Sequence, residues 1–157
     1  MHRSVERNLI SIAAAGLIGA WVLAGGLLNS VNADSTEDLK ALQGTWTAQK
    51  AELGGRVLSE AELGIVTLTI ENDTYAVSVD GKPDKGTCQV EGSKGSGKMT
   101  ITGGKDGPNA GKTFLAIYEL NGDTLRICYD LSGKMTPTGF ATQKGTPLYL
   151  VTYKRQQ

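Results

Sequence analysis

Val66-Thr67-Leu68-Thr69-Ile70-Glu71-Asn72-Asp73-Thr74-Tyr75-Ala76-Val77-Ser78-Val79 alternates apolar and polar residues on both sides of a central Asn-Asp pair. Strict period-two alternation describes strands with one dry and one wet face, and a two-residue Asn-Asp step is good hairpin-turn chemistry. Folding there sets Ile70 opposite Tyr75, Leu68 opposite Val77 and Val66 opposite Val79. The other face carries Glu71 with Thr74, Thr69 with Ala76, and Thr67 with Ser78. The glycosylation-type triplet Asn72-Asp73-Thr74 is therefore read as a turn.

A second hairpin is expected from Thr113 to Asp130 about Asn121-Gly122. It sets Leu120 opposite Asp123, Tyr118 opposite Leu125, Ala116 opposite Ile127 and Phe114 opposite Tyr129 on the buried face. Leu115, Ile117 and Glu119 then share the outer face with Thr124, Arg126 and Cys128, and Glu119 and Arg126 fall diagonally. Shorter strands fit Thr45–Glu52, Gly86–Glu91, Lys98–Thr102, the neighbourhood of Phe140, and Pro147–Lys154, with a turn at Asp80-Gly81. The stretch from Leu53 to Gly64 breaks this rhythm, and Ser59-x-x-Glu62 reads as the capping box of one helical turn, a lid or plug. Upstream, Ser35-Thr36-Glu37-Asp38 followed by Leu39 and Leu42 reads as a capped turn leading into Gly44-Thr45-Trp46. The fold class is all-β: an antiparallel up-and-down barrel of about eight strands, with a short N-terminal helical turn and Trp46 plugging its base. A sandwich of the same strands is the alternative architecture.

The N-terminus points to export. Leu9 to Leu28 holds no charged residue, Arg3 and Arg7 precede it, and Val31-Asn32-Ala33 supplies small residues before Asp34. That describes a secretory signal, residues 1–33, cleaved between Ala33 and Asp34 to leave a domain of residues 34–157. An uncleaved membrane anchor is the competing reading. Cleavage removes Arg3, Arg7 and Glu6, turning 16 basic and 16 acidic residues into 14 and 15. No polybasic footprint for nucleic acid remains. It also removes His2, the only histidine, so the exported domain has no imidazole for a nucleophile pair or a metal.

Leu42-Gln43-Gly44-Thr45-Trp46, the block from Ile117 through Cys128, and Pro137-Thr138-Gly139-Phe140 ahead of Lys154-Arg155 together resemble one family: the uncharacterised exported domains abundant in planctomycete bacteria. The resemblance spans nearly the whole exported chain and implies a lipocalin-like barrel, with no established activity and so no catalytic residues to carry over. Met135 and Gly139 depart from the basic and acidic residues common there, which argues against a charged site in that loop. In such barrels a cation from the last strand covers the tryptophan of the closed end, a structural role that Lys154 or Arg155 would fill over Trp46.

Two glycine-rich segments imitate phosphate loops. Gly92 to Lys98 has the spacing up to its lysine, but Met99 stands where a hydroxyl is needed and a strand follows instead of a helix. Gly107 to Thr113 has its first glycine one residue too close and is also followed by a strand. Both are read as loops. Cys88 and Cys128 face opposite sides, so neither a disulfide nor a metal site is expected, and no cofactor is implied.

The leading functional expectation is an exported, periplasmic or extracellular, non-enzymatic module. Tyr75, Phe114, Tyr118 and Tyr129 on the dry faces would line a pocket for a small apolar or amphipathic ligand. The alternative is a solid barrel acting as an envelope or extracellular scaffold, meeting a protein partner through Leu115 and Ile117. No nucleic-acid partner is expected, and a membrane association only if the N-terminal segment stays uncleaved. Catalysis is the least supported reading, because the domain lacks the side chain most used for proton transfer near neutral pH.

Overall fold

In the computed structural model, which describes residues 33–79 and 82–157, the alternating segments form nine strands. They are β1 (Gly44–Leu53), β2 (Arg56–Val57), β3 (Thr67–Glu71), β4 (Thr74–Val79), β5 (Lys82–Ser93), β6 (Ser96–Gly103), β7 (Thr113–Asn121), β8 (Thr124–Asp130) and β9 (Leu148–Arg155). From β3 to β9 each strand pairs antiparallel with the next, and β1 pairs with both β3 and β9, so eight strands close an up-and-down barrel while β2 adds a short flap on β1. Closure leaves the barrel no free sheet edge. The expected signal segment, apart from Ala33, and the Asp80-Gly81 turn lie outside the described residues, as does the Val79 side chain of the expected Val66–Val79 pair.

The first hairpin has the register read from its alternation: Ile70 opposite Tyr75, Leu68 opposite Val77. The second is shifted. Its two-residue turn is Gly122-Asp123, so Asn121 faces Thr124, Leu120 faces Leu125 and Glu119 faces Arg126 directly. Gly122 takes the positive φ of 59°, while Asn121 stays in the strand. Because the shift is even, the buried face is unchanged. The Gly92–Lys98 segment is a tight hairpin rather than a loop, with Ser93 opposite Ser96 across Lys94 and Gly95, both at positive φ. No strand forms near Phe140, and the connection from 131 to 147 is irregular.

β1 shows how one chain keeps its apolar side inward over ten residues. Trp46 and Ala48 point in, the β9 register slips between Ala48 and Lys50, and Ala51 then points in again. Gln49 is the extra residue of this bulge, and it reverses the phase of the alternation.

The N-terminal element is longer than the single turn expected. Helix α1 covers residues 33–42, so Ser35 lies within it, and the Ser35 hydroxyl accepts the Gly92 N–H at 3.4 Å. A second helix, α2 (Glu60–Leu63), carries the capping box read from sequence: Ser59 is its N-cap and the Glu62 carboxylate accepts the Ser59 N–H at 2.8 Å.

The two barrel ends differ in construction. Asn72-Asp73, Lys94-Gly95 and Gly122-Asp123 close one end with two-residue turns, and α1 sits there under Trp46. At the other end lie the connections 54–66, 104–112 and 131–147. The first end is sealed and the second is open.

Candidate functional site

The sealed end is built around Trp46, which is fully buried. Its indole N–H donates to the Leu42 carbonyl at 3.0 Å, tying α1 to β1. The Arg155 guanidinium lies 4.0 Å from the centre of the indole. It also donates to the carbonyls of Gln43 at 2.5 Å and Ala41 at 2.8 Å, which are among those left unpaired where α1 ends. Of the two terminal cations it is Arg155, not Lys154, that covers the tryptophan, since Lys154 is exposed.

Above this plug the barrel is hollow. A cavity of about 760 Å³ opens between the connections of the open end, a volume typical of small-molecule sites. Its floor and walls include Leu68, Ile70, Met99, Ile101 and Ile127, and its aromatic lining is Tyr75, Phe114, Tyr129, Tyr149 and Tyr153. Three of the four aromatic residues expected at a ligand therefore meet in the cavity. Tyr118 does not: it lies below the floor, and its hydroxyl donates to Asp38 of α1 at 2.5 Å.

Sequence reasoning missed the buried acid of this cavity. Asp84 on β5 is 1% exposed and lines the space. Its carboxylate accepts the Tyr75 hydroxyl at 2.7 Å, the Asn109 side-chain N–H at 3.1 Å and the Asn109 backbone N–H at 3.3 Å. Three donors make a buried carboxylate tolerable. They also pin the 104–112 connection to the wall at the mouth. The alternation Asp84, Gly86, Cys88, Val90 was the available signal, because it places Asp84 on the side of Cys88.

Every titratable hydroxyl and thiol in the wall is shifted away from reactivity. Burial pushes the Cys88 thiol up to about 12. Burial raises Tyr75, helped by its bond to Asp84, and raises Tyr129, helped by the neighbouring Tyr153 hydroxyl. Burial also raises Tyr149 and Tyr153. These groups stay protonated across the ordinary pH range, so the tyrosines are hydrogen-bond donors and Cys88 behaves as a small apolar side chain.

The outer face corrects a second expectation. Leu115 and Ile117 are half-buried, and Cys128 beside them is fully buried. The 131–147 connection folds back over this side, with Pro137 buried and the Phe140 ring 4.6 Å beneath the Arg126 guanidinium. Asp130 anchors the start of that connection. Burial opposes its charge, but the Ser132 hydroxyl and the N–H groups of Met135, Ser132 and Lys134 together hold its carboxyl below the usual range. Cys88 inside and Cys128 outside are both free thiols.

Compared with known proteins, the chain matches no protein-family model and no curated protein sequence.

Proposed function

We propose that this protein is an exported, non-enzymatic binding module that takes up one small apolar or amphipathic molecule through the open end of its barrel. The observation that carries this reading is the cavity of about 760 Å³, apolar in its floor and ringed by tyrosine hydroxyls and one hydrogen-bonded carboxylate. Apolar walls supply affinity by removing ligand surface from water, and a few fixed polar groups orient it. Wall thiols and phenols held protonated favour binding over covalent or acid–base chemistry. Export rests on the signal read in residues 1–33, and a periplasmic or extracellular place follows from it. The hollow interior and the half-buried Leu115 and Ile117 favour this reading over that of a solid envelope scaffold.

The test uses the unit Asp34–Gln157, which contains the barrel, its plug and the whole hydrophobic core and so has what it needs to fold alone. Titration with an environment-sensitive apolar fluorophore is expected to saturate at one probe per chain, and Ile101→Trp, which fills the cavity, is expected to abolish the signal while the far-ultraviolet spectrum stays that of a β protein. No saturable binding, or binding untouched by Ile101→Trp, overturns the proposal.

A further inference from the structure

Among the described residues, the exposed large apolar side chains are Leu53, Val57, Ile65, Leu131 and Met135. All of them sit at the open end, in the connections or at the strand ends beside them. Ile65, just past α2, is 88% exposed. Leu53, Ile65 and Leu131 also line the cavity, so the exposed rim is continuous with the apolar interior.

Charge divides along the same axis. Among the described residues, the open-end connections carry Arg56, Lys105, Lys112, Lys134 and Lys144 against Glu60, Glu62 and Asp106, with Arg56 paired to Glu62; Asp80, which follows β4, lies outside the described residues. At the sealed end, α1 and the three turns carry Lys40 and Lys94 against Asp34, Glu37, Asp38, Asp73 and Asp123. Among the described residues of these segments the mouth is thus net basic and the base net acidic.

We infer that the mouth docks on an anionic lipid bilayer, with Ile65, Val57, Leu53 and Leu131 entering the interface and the rim cations meeting lipid headgroups. Apolar side chains ringed by lysine and arginine fit the boundary between headgroups and acyl chains, and the negative surface potential of anionic lipid attracts basic segments held close to it. A second copy fits less well, because a two-fold mouth-to-mouth pairing sets like charges against each other. Docking in this pose puts the cavity entrance against the leaflet, so an amphiphile passes between membrane and barrel without exposing its apolar part to water. That transfer rests on the proposed ligand site, whereas docking itself does not.

The experiment is co-sedimentation of Asp34–Gln157 with phosphatidylcholine vesicles, with and without added phosphatidylglycerol, at low and raised salt. Binding is expected only where phosphatidylglycerol is present and should weaken as salt rises. Ile65→Glu and the pair Lys105→Glu/Lys134→Glu should each weaken it by about tenfold or more, and Lys40→Glu/Lys94→Glu at the sealed end should not. Absence of binding at low salt, equal loss from the sealed-end pair, or a mouth-dependent dimer in sedimentation equilibrium overturns the inference. The fluorophore titration in solution is read separately. Vesicle binding without probe binding leaves docking standing and removes the ligand, and probe binding without vesicle binding does the reverse.

Discussion

Tyr118 donates its hydroxyl to the Asp38 carboxylate across 2.5 Å, joining the barrel wall to the helix that plugs it. The Gly95 N–H lies 3.0 and 3.2 Å from the two Asp38 oxygens, so the β5–β6 hairpin meets the same acid. Gly92 makes room for this arrangement, since a Cβ there would stand 2.4 Å from the Tyr118 hydroxyl and 2.4 Å from the Ser96 carbonyl oxygen.

Tyr118→Phe leaves the buried Asp38 with Gly95 as its remaining partner among these and is expected to destabilise the fold by about 1–3 kcal/mol. Gly92→Ala forces the hydroxyl and the hairpin apart at a similar cost, about 1–3 kcal/mol. Urea denaturation followed by Trp46 fluorescence measures both, because Trp46 is the single tryptophan of residues 34–157. Unchanged midpoints would show that the plug is held by packing alone.

Arg155→Met removes the cation over Trp46 and two charge-assisted bonds, to the Ala41 carbonyl of α1 and the Gln43 carbonyl just after it, with an expected loss of about 2–4 kcal/mol. Arg155→Lys keeps the charge but not the planar fork and should fall between wild type and Met. Guanidinium melts of the three proteins rank them, and a Lys variant as weak as the Met variant would put the stabilisation in fork geometry alone.

Asp84→Ala frees Asn109 from both of its bonds to the carboxylate and unpartners the buried Tyr75 hydroxyl. Amide exchange in residues 104–112 should quicken by about tenfold or more, in line with the loss of about 1–3 kcal/mol of local hydrogen bonding. The strands below the cavity floor should keep their protection, and uniform quickening would mean that Asp84 supports the whole barrel.

Stability should fall at both pH extremes. Cys88 ionises near 9.0 when unfolded and only at about 12 when folded, so its contribution is whole below 9.0 and disappears as pH climbs through that window. The buried tyrosines, raised above their ordinary 10.0, act in the same direction. On the acid side, Glu62 is held at about 2 by the Ser59 N–H, the Arg56 guanidinium and the Ser59 hydroxyl, and Asp130 is also lowered. Their contributions are whole above about 4.5 and fade as pH drops towards 2. Urea midpoints against pH should trace a plateau with two falling shoulders, and Cys88→Ala should soften the alkaline one.

Local pattern carried far in this chain. The Val66–Val79 alternation and its turn were enough for the register from Leu68 to Tyr75, because each pair is fixed by its distance from a two-residue turn. In the Thr113–Asp130 hairpin the same method misplaced the turn by one residue at each end. Asn121-Gly122 and Gly122-Asp123 are both good turn pairs, and the choice between them lies in how β7 and β8 meet β6 and β9. Asp38 stood out in the sequence only as part of the capped turn, since nothing within α1 announces that Tyr118 waits below the cavity floor. Leu115 and Ile117 read as an uncovered stripe because the segment covering that side has no period of its own.

The two hairpins, the antiparallel barrel and the inward set of side chains on their strands were determined by the amino-acid order alone, because alternation has a period of two and needs only near neighbours to act, whereas β2 and the absence of a strand near Phe140 were not. Whether the barrel is hollow, which aromatic residues reach the hollow, and what stands at its mouth were decided by the tertiary structure. A void is the difference between what eight strands enclose and the summed volume of the side chains they point inward, and no short stretch of chain contains that difference.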